Sequence, residues 1–403
     1  MLKNLIFYFY FNMKDIKAIF DIWNDSIKAV VFADDEWKST ILAKHMEPTQ
    51  WMRKWKILDS EGFTRCINNI TENFIKKLWG DFIDEVFVGI SHPDSIVKRI
   101  AEQKRVMDPE IWENDVEHLS KVIADVAVKN NMETIKIVPV HRIIDEEKKE
   151  KDPIWLKGKR LELVADAFMI PKNLYNWIME AFDNVWLSIS DMVPNILSSS
   201  EIILDYDRRD LWTVLIDIWK NQTSYTIFED WYPLWYWTIA IWWEDVTKDI
   251  SIGMQIDIKE AEDIKKTYWT AIIDKNIAQD SPIDIHFLTE IISSRYEEIF
   301  QKINNHLKIF DRDWRLPWWV ILIWWWSKLP NLDLLSKDTF KLATFYGKDN
   351  QLNLWDISNN IQFTNVLWTF IWSNKYMDWR KWSGLKINWN IWWSVKKFFK
   401  DLF

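Results

Sequence analysis

Glycine is nearly missing from this chain: 7 of its 403 residues are glycine, against an ordinary share of about 7%. Turns, helix C-caps and loops that close on a phosphate need residues that enter positive φ freely, and glycine alone does so without penalty. Cysteine is almost absent as well. The single Cys66 excludes an internal disulfide and suits a reducing cytoplasm. With one cysteine, the six scattered histidines make no metal-ligand spacing. The net charge of −9 argues against a general nucleic-acid binder. No segment qualifies as a transmembrane helix. The apolar opening stretch, Leu2 to Phe11, is too short to cross a bilayer and lacks the small-residue cleavage site of a secretory signal. Met13 is the expected start, with residues 1–12 an over-extended reading frame.

Tryptophan stands where glycine is missing, 31 times. It occupies turn-like settings: Asp21-Ile22-Trp23-Asn24, Trp242-Trp243-Glu244, Leu316-Pro317-Trp318-Trp319 and Trp324-Trp325-Trp326-Ser327. The last follows Val320 to Ile323, a buried strand entering a turn, where three consecutive indoles have nowhere to pack. A UGA codon that means glycine in the cell, read as tryptophan, produces this pattern. Most of these residues are therefore expected to be glycine in the living cell. A truly tryptophan-rich carbohydrate binder is the alternative, and it would place indoles on strand faces with ordinary glycine in the turns. Tryptophan retained at positions 23, 219 and 324–326 is expected to crowd whatever cleft those turns line.

Strand-like and helical runs alternate, which indicates α/β architecture with more than one domain or subdomain. Ile16–Phe20 and Ile27–Phe32 read as a hairpin, Glu61 to Leu78 as a helix and Glu85–Ile90 as a strand. Asp115 to Lys129 is an amphipathic helix, Ile135–Val140 a strand, and charged Asp145 to Asp152 a loop or hairpin tip. Leu161–Ile170 and Lys172–Phe182 follow as strand and helix. Thr213–Ile218 and Ser224–Phe228 then repeat the opening hairpin: Phe20-Asp21-Ile22-Trp23 and Ile216-Asp217-Ile218-Trp219 are the same device. The duplication predicts two similar domains facing each other across a cleft. An aspartate at the end of a buried strand, followed by a glycine turn, sets a carboxylate beside a nest of backbone N–H groups. Such nests bind phosphate oxygens, and the carboxylates suit hydrated Mg²⁺.

With the glycines restored, the chain resembles the FtsA family, the bacterial cell-division members of the actin/Hsp70/sugar-kinase ATPase superfamily. The Asp21 and Asp217 hairpins match its two phosphate motifs. Gln50-Trp51-Met52-Arg53-Lys54-Trp55 is similar to its Arg-Gly segment, and Lys151 to Gly158 to the signature of its extra 1C subdomain. Trp242 to Ile250 is similar to its Gly-Gly-x-x-Val-Thr-x-Asp-Ile stretch, and Leu316 to Ser327 to its adenosine motif.

This resemblance implies an actin-like ATPase fold, two duplicated domains around a nucleotide cleft, with ATP and Mg as cofactors. Asp21 and Asp217 would hold Mg through water on the phosphate side, with Ser199, in Ser198-Ser199-Ser200, near the γ-phosphate. Trp23, Asn24, Lys28, Trp219, Asn221, Thr223, Trp242, Trp243, Trp324, Trp325 and Trp326 would line the nucleotide site. Glu262 and Lys265 match an adenosine-side pair on one helix face. Departures from the family at Asn24-Asp25 and Trp219-Lys220-Asn221 leave no obvious residue to orient an attacking water, so hydrolysis is expected to be slow at most.

The implied subdomains are 1A (residues 13–85 and 166–210), 1C (86–165), 2A (211–242 and 318–375, the latter returning to 1A) and 2B (243–317), then a linker (376–390) and a terminal helix (391–403). In that last segment Val395, Phe398, Phe399, Leu402 and Phe403 make one helical stripe, flanked by Lys396, Lys397 and Lys400. An aromatic face with lysines beside it fits a helix lying in an anionic membrane interface. The resemblance implies a protein on the inner face of the cytoplasmic membrane at the division site. It would polymerise with itself and bind the FtsZ tail near Arg295, and later division proteins would join it. A pilus-assembly actin homologue and a kinase of the same superfamily are the rival readings.

Overall fold

From Ile16 onward every residue of Asp15–Ile22 is buried, and this run forms β1 at the centre of a five-stranded sheet. The structure is a computed structural model and describes residues 15–35, 38–49, 52–53, 56–78, 82–127, 131–150, 152–210, 212–219, 222–229, 232–239, 243–272, 283–309, 319–323, 329–347 and 363–383. β1 pairs antiparallel with β2 (Ser26–Asp35), which pairs antiparallel with β3 (Lys38–Pro48). A two-stranded ribbon, β4 (Met52–Arg53) with β5 (Lys56–Ile57), leads into α1 (Ser60–Leu78). On its other edge β1 runs parallel to β6 (Glu85–Ile90).

Period-2 alternation then sorts the side chains. Ala18, Phe20, Ile22, Val86 and Val88 enter one core with Phe63, Ile67 and Phe74 of α1. Ile19, Val30, Phe32 and Phe87 enter another with Val366, Leu367 and Phe370. The sheet is thus covered on both faces, which is why β1 reads as an almost unbroken apolar run.

Between β6 and the rest of this domain the chain builds a separate antiparallel sheet. Its strands are β7 (Ile96–Arg105), β8 (Met132–Ile144), β9 (Lys148–Glu150) and β10 (Arg160–Pro171), in the order β7-β10-β8-β9. Helix α2 (Glu113–Ala127) lays Val116, Leu119 and Ile123 on it, against Leu161, Leu163 and Ala165. Arg99 of β7 donates to Asp166, opposite it on β10, in two bonds of 2.8 and 2.7 Å, and ties the insert to the second half through the Pro233 carbonyl at 2.6 Å. The chain returns through α3 (Lys172–Asp183) to β11 (Ile189–Pro194), parallel to β6, and crosses over in α4 (Asn195–Ile203).

After the short α5 (Tyr206–Asp210), the second half repeats the topology. β12 (Thr213–Ile218), β13 (Thr223–Glu229) and β14 (Tyr232–Ile239) form an antiparallel meander. β15 (Trp319–Ile323) and β16 (Ala343–Tyr346) extend β12 in parallel. The first sheet runs β11-β6-β1-β2-β3 and the second runs β14-β13-β12-β15-β16, the same arrangement read in opposite directions. Helices α6 (Trp243–Met254), α7 (Ile258–Tyr268), α8 (Ile285–Ile309) and α9 (Leu332–Phe340) belong to this half. Helix α10 (Thr364–Ser383) returns to pack on α4 and on the first sheet.

Phe20 is fully buried, edge-on to Phe182 at 4.8 Å and to Phe74 at 6.2 Å between ring centroids. Phe20→Ala is expected to cost about 3–5 kcal/mol through the lost transfer energy and the cavity left behind. Urea denaturation of the two proteins measures it, and a loss under 1 kcal/mol would contradict this packing.

Candidate nucleotide cleft

The two matching hairpins close in the same way. The Trp23 amide donates to the Ser26 carbonyl at 3.0 Å, and the Trp219 amide to the Gln222 carbonyl at 2.8 Å. In strand register Asp21 stands opposite Lys28, and Asp217 opposite Ser224. Both aspartates are buried, at 0% and 1% exposure, because each ends a central strand that is covered on both faces. One carboxylate oxygen of each, Asp21 Oδ2 and Asp217 Oδ1, has no hydrogen-bond partner.

Burial raises both carboxyl pKa values by penalising the anion. The Asp21 carboxyl is pushed up to about 6, held back by the Lys28 charge and by hydrogen bonds from Trp23 and Asn195. Asp217 has no lysine opposite it, and burial together with the nearby Asp21 charge carries it to about 8 against the hydrogen bond from Trp219. The repeat is therefore structurally symmetric and electrically asymmetric.

Asn195, at the start of α4, was not among the expected site residues. Its amide donates to Asp21 Oδ1 at 2.9 Å. A Cβ on Gly89, which pairs with Asp21 across β1 and β6, would lie 2.6 Å from Asn195 Oδ1 and 3.0 Å from Thr369 Oγ1. Asp21, Asn195 and Thr369 of α10 thus converge on the space a glycine leaves open. Only the aspartate carried a motif; the other two are brought in by the helices that link the domains.

The side chains of Trp23 and Trp219 meet between the two turns. Their rings stack with centroids 3.9 Å apart at 28°, and the residues are 2% and 5% exposed. Lys28 Nζ lies 5.9 Å from the centre of the Trp23 ring. The orphaned carboxylate oxygens fit a hydrated Mg²⁺ ion, whose waters would donate to them. The stacked indoles do not fit a phosphate chain held between these turns, because they fill the junction it would cross. Crowding expected of tryptophan at 23 and 219 is what the structure contains.

The remaining expected residues divide by location. Ser198, Ser199 and Ser200 lie buried inside α4, where each hydroxyl donates to the carbonyl three residues back; Ser199 bonds to Ile196 at 3.1 Å. A serine-rich stretch that could be taken for a loop is a helix here, because these hydroxyls satisfy themselves on its backbone. Thr223 is buried at the start of β13 with Oγ1 unpartnered, and Asn24 sits in the first turn.

Glu262 and Lys265 are on α7 and form an ion pair. Lys265 is fully buried and also bonds to Thr247 of α6, whose hydroxyl donates to Glu262 at 2.7 Å. Burial pushes the Glu262 carboxyl up, but Lys265 and Thr247 outweigh it and hold it below the usual range. Two separate sequence motifs meet in this triad.

Arg295 is no solitary surface charge. It donates to Asp249 at 2.9 and 2.6 Å and to Glu298 at 2.6 Å. Trp243 opens α6. Asn221, Trp242, Trp324 to Trp326 and Val395 to Phe403 lie outside the described residues. Among the described residues no group of three His, Cys, Asp or Glu side chains could hold a metal ion, and no helix is long and apolar enough to cross a membrane.

Because both carboxyl pKa values are raised above 3.8, the folded state holds protons that the unfolded chain releases. The stability from their neutral forms is full below about pH 4 and is lost as pH rises through about 6 for Asp21 and about 8 for Asp217. Asp217→Asn is expected to raise the melting midpoint at pH 8 and to flatten its fall between pH 6 and 8. Thermal melts across that range test this, and an unchanged slope would contradict the buried carboxylate.

Comparison with known proteins follows the same outline. The SHS2 domain inserted in FTSA matches residues 91–168, the stretch that holds β7, α2, β8, β9 and most of β10. The cell division protein FtsA of Enterococcus hirae is 25% identical over 86% of this chain and 80% of its own length. That of Bacillus subtilis is 22% identical over 86% and 81%. Among solved structures, the PilM-PilN type IV pilus biogenesis complex superposes with a TM-score of 0.60 at 15% identity, covering 88% of this chain and 97% of that one. Two duplicated sheet domains of the actin-like ATPase fold, a stretch matching the SHS2 domain inserted in FTSA, and FtsA relatives along most of the length make the chain similar to the FtsA cell division proteins.

Proposed function

We propose that the protein binds ATP with Mg²⁺ between its two hairpins, polymerises on the inner face of the cytoplasmic membrane at the division site, and anchors FtsZ there. One observation carries this reading. Two copies of the same strand-aspartate-turn device meet at the domain junction, each with a buried carboxylate oxygen awaiting a donor. A hydrated cation between them would satisfy both oxygens and restore the anionic form of each aspartate. Lys28 would balance charge on the first side. Catalysis is slow at best on this reading, since Asn24-Asp25 and Trp219-Lys220-Asn221 offer no obvious residue to orient an attacking water.

The nucleotide-binding form carries glycine at 23 and 219, where backbone N–H groups rather than indoles would face the phosphates. The Thr247–Glu262–Lys265 triad would support the adenosine side. The FtsZ tail would dock on 2B beside Arg295, whose guanidinium is already aligned by Asp249 and Glu298. The C-terminal stripe from Val395 to Phe403, with Lys396, Lys397 and Lys400, would lie in the membrane interface.

Two measurements test the reading. A Trp23→Gly/Trp219→Gly protein is expected to bind MgATP in equilibrium dialysis, with at least a tenfold loss when Asp21→Asn and Asp217→Asn are added; absence of binding in the glycine form rejects the site. Full-length protein is expected to co-sediment with anionic liposomes and a chain ending at Asn390 to stay in solution. Equal binding of both rejects the membrane anchor.

A further inference from the structure

Two tryptophans far in sequence from the hairpin turns stand in backbone positions built for glycine. Trp186 has φ of 60°. It follows α3, and its amide donates to the Asp183 carbonyl at 3.0 Å while the Leu187 amide donates to the Phe182 carbonyl at 3.0 Å. Those paired bonds are the Schellman termination of a helix, and Trp186 is its left-handed residue. Leu187 and Phe182, the positions whose apolar pairing accompanies such a cap, belong to one hydrophobic core.

Trp155 has φ of 68°. It is the third residue of a turn closed by the Leu156 amide donating to the Pro153 carbonyl at 3.1 Å. Ile154, the second residue, is not at positive φ, so the turn is type II, with proline at its first position and a left-handed third position that selects glycine.

Among the described residues the other non-glycine positions at positive φ are Asn131, Asp145, Glu146, Gln255, Asn331 and Lys341, all polar. Within this set the two aromatic side chains are both tryptophan. Burial gives little reason for either: Trp186 is 94% exposed, and Trp155, 62% exposed, meets the half-exposed Trp112 edge-on with ring centroids 4.4 Å apart. A bulky, largely solvated side chain at such a φ is an unfavourable choice for either position, most plainly at Trp186.

We infer that the working polypeptide carries glycine at positions 155 and 186, and that a glycine-decoded codon read as tryptophan runs through the whole chain rather than through the cleft alone. The cleft indoles at 23 and 219 agree with this but do not carry it. The helix cap and the turn stand whether or not the protein binds a nucleotide.

The gene and the native protein test this together. UGA codons at 155 and 186, with glycine in the corresponding peptides by mass spectrometry of protein from its own cells, are the expected results. UGG codons, or tryptophan in either peptide, overturn the inference. On recombinant protein Trp186→Gly is expected to raise the melting midpoint, whereas Trp186→Ala removes the indole but keeps the Cβ and should gain less. A Trp186→Ala gain equal to that of Trp186→Gly would mean that the indole, not the φ, is at fault, and would overturn the backbone argument. Glycine in the peptides with no MgATP binding by the glycine form would reject the nucleotide site and leave this inference standing.

Discussion

Burying a carboxylate at the end of each central strand is the constraint around which this molecule is arranged. Asp21 and Asp217 lie beyond the reach of bulk water because β1 and β12 are covered on both faces. An ionised group in that setting is costly unless it is paired or hydrogen-bonded. The chain meets that cost only in part, with Lys28 and Asn195 on one side and, among the described residues, without a comparable cation on the other. The difference in how far the two carboxyls are raised follows from that inequality. A fold optimised for stability alone has no reason to keep such a pair.

Duplication supplies the geometry and the connecting helices make it one site. Each half builds a meander followed by two parallel strands, so each places its aspartate at the same strand end. Helices α4 and α10 then cross between the halves, and their polar residues Asn195 and Thr369 reach the first aspartate's surroundings. Gly89 keeps that approach open, since a side chain there would collide with both. The insert is held separately, through Arg99, which Asp166 aligns within the insert, to the second domain's Pro233.

Several elements in both halves were legible because their signals are strong and local. Glu85–Ile90 and Thr213–Ile218 have the same limits in the structure as in the pattern of apolar residues. The helix read from Glu61 to Leu78 begins one residue earlier, at Ser60, and that read from Asp115 to Lys129 is described as Glu113–Ala127. Strand β7 escaped notice because Ile96–Arg105 is an edge strand rich in Lys and Arg, with only Ile100 buried. Strands β11 and β16 are short and stand at sheet edges, where pairing rather than apolar alternation defines them. Asn195 and Thr369 carried no motif, and only the meeting of two distant helices makes them neighbours of Asp21.

By itself the sequence determined the duplicated strand-aspartate-turn device, the α/β class and the anomaly of tryptophan in turn positions, because each is a matter of local pattern and composition. Tertiary structure decided which of those turns meet, how deeply the aspartates are buried and which of them has a cation beside it. It also decided that the indoles of residues 23 and 219 stack on each other and that residues 155 and 186 sit at left-handed φ. Residue spacing along the chain carries no information about desolvation or about the approach of distant backbones. Those depend on the packing of sheets and helices from both halves, which exists only once the chain has folded.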